Sequence, residues 1–146
     1  MKISILSSSL SNNCFGRAYV LAKVLKRNYE VEIIGPTYGK AVWSPCDTGE
    51  FYVKAFKELG PKDFFSSSLK RILDLIDGDV IYAVKPLLAS YGIAVVKRLV
   101  SRMPVVLDID DWQLGFATKM EGPFDVRRLW ARISGLRNSP NSYYWV

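Results

Sequence analysis

The chain has 146 residues, 49% of them hydrophobic and 23% charged, a balance that supports one globular domain with a real core and argues against disorder. Twenty lysines and arginines against fourteen acids leave a net charge of +6 and a pI near 9.4, which favours anionic partners without choosing among phosphates, nucleic acid and acidic membrane. Histidine is absent, so histidine triads, histidine general bases and most zinc sites are excluded.

Residues 2–7 read as a short buried strand, and the apolar run Ile3–Leu6 within it, interrupted by Ser4, is too short for a signal peptide. A polar loop at residues 8–15 follows, with Asn12 and Asn13 as helix caps. Ala18, Leu21, Ala22 and Leu25 then set one face of a helix over residues 16–27. Residues 31–34 form a second strand that Gly35-Pro36 is expected to stop. The pattern is irregular over residues 37–61, with a short strand at residues 51–53. Asp63 can cap a second helix whose face is Phe65, Leu69, Ile72, Leu73 and Ile76.

Residues 79–84 (D-V-I-Y-A-V) give the next strand, ended by Lys85-Pro86. Proline suits the first turn of the helix that follows, whose buried stripe is expected at Leu88, Tyr91, Val95 and Leu99. The run P-V-V-L-D-I-D-D-W at residues 104–112 has no polar alternation before its acids, the pattern of a strand covered on both faces. A basic helix is expected over residues 124–136, and the apolar residues 143–146 suggest a chain cut before a further element. The alternation predicts a Rossmann-like α/β domain with a mostly parallel sheet and helices on both faces. Cys14 and Cys46 lack metal or redox spacing and are expected to be reduced thiols. No segment approaches the length of a membrane span, so the expectation is a cytoplasmic protein, at most peripheral at the inner face of a membrane.

Acids at the C-terminal end of a parallel strand stand where such sheets place their ligand crevice. Asp108 and Asp110 form a D-x-D pair that resembles the first motif of haloacid-dehalogenase-type phosphatases, with Asp108 as nucleophile and Asp110 as general acid. Only 34 residues follow Trp112, too few for the rest of that family's site. The pair is also similar to the metal-binding acids of single-domain glycosyltransferases, whose nucleotide-binding opening this chain lacks. A structural reading has Asp110 or Asp111 capping a turn and Asp108 paired to a basic residue. The loop S-S-S-L-S-N-N-C-F-G-R-A lacks both G-x-G-x-x-G and the P-loop pattern. It leaves hydroxyl and amide side chains beside a helix start, where they serve either a ligand or the cap.

Three segments, G-R-A-Y-V-L-A-K-V-L, D-V-I-Y-A-V-K-P and P-V-V-L-D-I-D-D-W, occur in an order and spacing that resemble the N-terminal domain of family-4, GT-B-type glycosyltransferases. The resemblance covers nearly the whole chain. It implies an acceptor-side domain over residues 1–146, incomplete at its C-terminus and without the donor-binding domain. It further implies a nucleotide-sugar donor used as substrate, a sugar or lipid-linked acceptor, no cofactor and no metal. Asp110 and Asp111 would take the position of the family's histidine-aspartate pair, and this chain has no histidine to offer there. Ser9, Asn12, Asn13, Gly16, Lys85 and Trp112 would line the substrate side. Glu50 and Glu58 match the spacing of the family's paired glutamates by coincidence, since they fall in the irregular region. Arg127, Arg128, Arg132 and Arg137, with Trp130 and Trp145, make the C-terminal stretch basic and aromatic. It reads as a solvated helix face, with contact to anionic lipid as the alternative and no nucleic acid expected. The rival functional class is a non-catalytic Rossmann-like module that binds a phosphorylated ligand or a partner protein.

Overall fold

Successive side chains of a strand point to opposite faces, and the first strand is buried on both, which divides the described part of the molecule into two layers. The computed structural model describes residues 1–39, 41–57 and 67–109. Five strands, β1 (Lys2–Leu6), β2 (Glu30–Thr37), β3 (Tyr52–Lys57), β4 (Val80–Val84) and β5 (Val105–Asp108), form one sheet in the order β3-β2-β1-β4-β5. Every pairing is parallel, as the sequence predicts. Helix α1 (Asn13–Leu25) joins β1 to β2, α2 (Ser67–Leu75) precedes β4, and α3 (Ile93–Ser101) joins β4 to β5. The domain is therefore a Rossmann-like α/β fold.

On one face Ile3, Ile5 and Ile33 pack against Phe15, Ala18 and Ala22 of α1. On the other, Leu6, Ile34, Ile81 and Ala83 pack against Ile72 and Ile76 around α2 and against Ile93 and Ala94 of α3. Residues two apart on a strand share a face, so the layers follow from strand parity. Full burial of a side chain such as Phe15 or Ile5 contributes about 2 kcal/mol. Ala18 and Ala22 let α1 lie close on the sheet. None of the described helices is long and apolar enough to cross a membrane.

Several expectations need correction. Strand β2 runs through Gly35-Pro36 to Thr37 instead of stopping. The Pro36 carbonyl accepts from Leu10 N–H on the β1 side (2.8 Å), so the missing proline N–H also faces that side, where β1 has already ended. Strand β3 spans Tyr52–Lys57, longer than expected, because β2 continues alongside it as far as Thr37–Lys57. The helix after β4 buries Ser90, Ile93 and Ala94, whereas Leu88 and Leu99 are exposed. A wide π-helical turn at Leu88–Gly92, closed by Gly92 N–H to the Leu87 carbonyl (3.0 Å), shifts the phase of the buried stripe. Pro86 precedes that turn and does not begin it. Finally, Val106 on β5 is 43% exposed, so the described residues cover that strand incompletely on one face. Asp63 and Phe65, and the expected helix over residues 124–136, lie outside the described residues, as do residues 143–146.

Candidate functional site at the sheet crest

Strand order reverses between β1 and β4, since the chain lays β2 and β3 to one side of β1 and β4 and β5 to the other. Ligand crevices of open α/β sheets lie at such a reversal, at the strands' C-terminal ends. Four groups meet at that crest: the β1–α1 loop, the first turns of α1, the end of β4 and the end of β5.

The β1–α1 loop is tied down by its own chemistry. Ser7 N–H donates to the Ile34 carbonyl (2.8 Å), and Ser7 Oγ to the Ser9 carbonyl (2.7 Å). Ser9 Oγ accepts from Ser11 N–H (3.1 Å), while Ser11 Oγ donates to the Ala41 carbonyl (2.8 Å) and accepts from Tyr38 N–H (3.0 Å). Leu10 plugs the core beneath the loop. The loop lies so close on β2 that a Cβ at Gly35 would come within 2.8 Å of the Ser7 carbonyl oxygen. The fully buried Ser8 Oγ has no hydrogen-bond partner among the described residues.

Asn12 caps α1, its side-chain oxygen accepting from Cys14 N–H (3.0 Å), as the sequence predicts for Asn12 or Asn13. The helix begins at Asn13, three residues earlier than the apolar spacing suggests. Asn13 is exposed on the first turn. Gly16 sits under the Trp43 ring, where a Cβ would be 3.0 Å from the ring edge, so packing is enough to explain this glycine. Of the predicted substrate-side residues, Ser9 is fully buried and shapes the loop, Asn12 serves the helix, and Asn13 faces outward.

At the end of β4, Lys85 adopts φ +70°, a left-handed conformation uncommon for a residue with a side chain. Its N–H donates to the Asp108 carbonyl (2.9 Å), and its carbonyl accepts from Leu87 N–H (2.9 Å) and Ser90 Oγ (2.8 Å). Backbone strain of this kind is concentrated at functional positions. Ser90, fully buried on the π-helical turn, therefore braces the strained residue.

Asp108 ends β5 with a side chain only 13% exposed. Arg17, one turn into α1, donates Nε to one carboxylate oxygen (2.8 Å) and an Nη to the other (2.9 Å). The fork geometry is the strong, orientation-fixing form of the pair. It matches the structural reading of Asp108 and counts against Asp108 as a phosphatase nucleophile, because both oxygens are engaged. Nearby, burial first and the Asp108 charge second push the Tyr82 phenol up, while Arg17 opposes them. Asp110, Asp111 and Trp112 lie outside the described residues, as do Glu58 and the C-terminal arginines and tryptophans. Glu50 is held by Tyr19 Oη (2.7 Å) and by Lys23 and Lys26 on the flank of α1, in agreement with its glutamate spacing being a coincidence.

The sequence reading gave Arg17 no role, although its place four residues after Asn13 puts both on one side of the helix start. Its partner lies 91 positions away, which no local pattern reveals. Glu32 was also missed. It is 1% exposed at the opposite end of the sheet, accepts from Ser4 Oγ (2.6 Å), and has Lys2 Nζ at 2.9 Å and Lys54 Nζ at 2.8 Å from its second oxygen. Those two contacts are ion pairs without hydrogen-bond alignment. Asp77 closes the cluster on both lysines, at 2.6 and 3.0 Å. Cys14 and Cys46 are free, buried thiols. In comparisons with known proteins, no family model, no curated protein and no solved structure matched the chain significantly.

Proposed function

We propose that this chain is the acceptor-binding part of a glycosyltransferase that moves a sugar from a nucleotide-sugar to a saccharide or lipid-linked acceptor. The observation that carries the reading is the crest itself: an amide side chain on the first turn of α1 and an Arg17–Asp108 fork stand at the strand-order reversal. Hydroxyl-rich ligands are held by such amides and by charged groups that both donate and accept. The first turn of a helix also favours an anion, as a departing diphosphate would be. In this reading Asp110 and Asp111, just past β5, assist the acceptor hydroxyl, while Asn13 and Lys85 orient it. The chemistry then rests on positioning and on charge stabilisation from a second domain.

Saturation-transfer NMR on the 146-residue chain tests this, with mono- and disaccharides in one series and a nucleoside diphosphate in another. Saccharide signals are expected, reduced at least about fivefold by Asn13→Ala, whose exposed position leaves the fold intact. Absence of saccharide binding together with clear nucleoside diphosphate binding would replace this reading by a phosphate-binding module. Sugar transfer by this chain alone would show that the division of labour between two domains is wrong.

A further inference from the structure

We propose that Trp43 and Asn13 form a pyranose-binding subsite beside the first turns of α1, an inference that rests on the sugar-transfer reading and names the part of the sugar that is held. Asn13 and Gly16 are three residues apart and share one side of α1. The Trp43 ring abuts that side: a Cβ at Gly16 would meet Cζ3 at 3.0 Å, Cη2 at 3.7 Å and Cε3 at 4.0 Å. These are neighbouring atoms of the six-membered ring, so the indole meets the helix by its edge and turns its pyrrole N–H to the far side. The ring is only partly buried, and Asn13 is exposed. Among the described residues, neither the indole N–H nor the Asn13 amide has a hydrogen-bond partner.

The backbone sets the ring in place before any ligand arrives. Trp43 N–H donates to the Leu10 carbonyl (2.7 Å), and the Trp43 carbonyl accepts from Cys46 N–H (3.0 Å) across a 3-10 turn at Ser44–Cys46. Cys46 anchors that turn in the α1-side core. An aromatic already fixed in this way loses little freedom on binding. On the other flank of Asn13 stands Arg17, four residues further along α1, in its fork with Asp108. An aromatic ring, an N–H without an acceptor and an amide that both donates and accepts suit one ligand chemistry. One face of a β-gluco- or β-galactopyranose carries only C–H bonds in its axial positions. That face stacks on an indole, while the hydroxyls at the sugar's rim reach the amide.

Nitrogen-15 NMR of the indole N–H groups in the full chain tests the proposal. The chain has four tryptophans, and the resonance lost in Trp43→Phe belongs to Trp43. At least one of methyl β-glucopyranoside and methyl β-galactopyranoside should shift that resonance saturably. Sorbitol, an open-chain hexitol with comparable hydroxyls and no ring face, should leave it in place. Trp43→Leu should weaken pyranoside binding at least about fivefold. If that variant unfolds, Gly16→Ala, which displaces the ring and suits a helix, decides by the same measure. Pyranoside binding seen by saturation transfer with the Trp43 resonance unmoved would overturn the subsite and leave the sugar-transfer reading standing. Equal shifts from sorbitol would also overturn it, since the ring face would then contribute nothing. No pyranoside binding of any kind would remove the sugar-transfer reading and the subsite with it.

Discussion

The two ends of the sheet are both polar, yet they handle polarity in opposite ways. At the N-terminal end, Lys2, Glu32, Lys54 and Asp77 balance two positive charges against two negative ones, with Ser4 and the Leu75 carbonyl completing the set. The result is a closed cluster that leaves no direction in which a ligand would gain much. At the C-terminal crest, the loop's hydroxyls are satisfied largely by its own backbone, while Asn13 faces outward and Ser8 Oγ is unsatisfied among the described residues. Charge at the N-terminal end is therefore balanced within the scaffold, while the crest combines one fork, Arg17–Asp108, with an amide side chain that faces solvent.

The contrast breaks most severely at Glu32. Glu32→Ala would leave two largely buried ammonium groups facing one half-exposed carboxylate, and should cost about 3–5 kcal/mol in urea denaturation. Loss below about 1 kcal/mol would show that the cluster is solvated after all. The same cluster should contribute to the acid limit. The Asp77 carboxyl is held well below its ordinary value near 3.8, mainly by the hydrogen bond from Lys2, and the ammonium of Lys2 is correspondingly held above 10.5, mainly by Asp77. A lowered carboxylate stabilises the fold above the ordinary value, and that stabilisation is lost as pH falls through 3.8 and below. A raised ammonium stabilises below 10.5 and is lost above it. Asp77→Asn should flatten the acid limb of a stability–pH curve, and an unchanged limb would place the acid sensitivity elsewhere.

The crest should respond more weakly. Gly35→Ala pushes a methyl to 2.8 Å from the Ser7 carbonyl oxygen, so the loop must lift from β2 at a cost of about 2 kcal/mol. A neutral result in thermal unfolding would mean that the loop moves freely. The smallest effect is spectroscopic. Asp108→Asn should lower the titration of Tyr82 without returning it fully to an ordinary phenol, since burial is the larger cause, and Arg17→Leu should raise it further. Ultraviolet titration of the phenolate band reads both, and shifts of the same sign would contradict the fork.

Much of the sheet is legible in the sequence because β1, β4 and β5 are short apolar runs bounded by clear breaks. Strand β2 was cut short because Gly-Pro is an ordinary stop signal, and only the early end of β1 makes Pro36 harmless. The phase of α3 escaped because a π-helical turn inserts at Leu88–Gly92, and nothing in L-A-S-Y-G announces it. At the site, Asn12 was readable as a cap since the cap is local. Arg17–Asp108 and the Glu32 cluster were not, because E-V-E-I-I reads as one half-solvated strand until Lys2 and Lys54 arrive from its two neighbours.

Lys85 gives the crest a signature that mutational scanning can read. Its φ of +70° is a conformation that glycine and asparagine enter with least resistance, so a library at position 85 sorted for thermal persistence should enrich those two residues. A library sorted for ligand capture has no reason to follow the backbone and should return lysine if the ammonium is used. The divergence between the two enrichment profiles at this single codon would separate what the fold prefers from what the site requires.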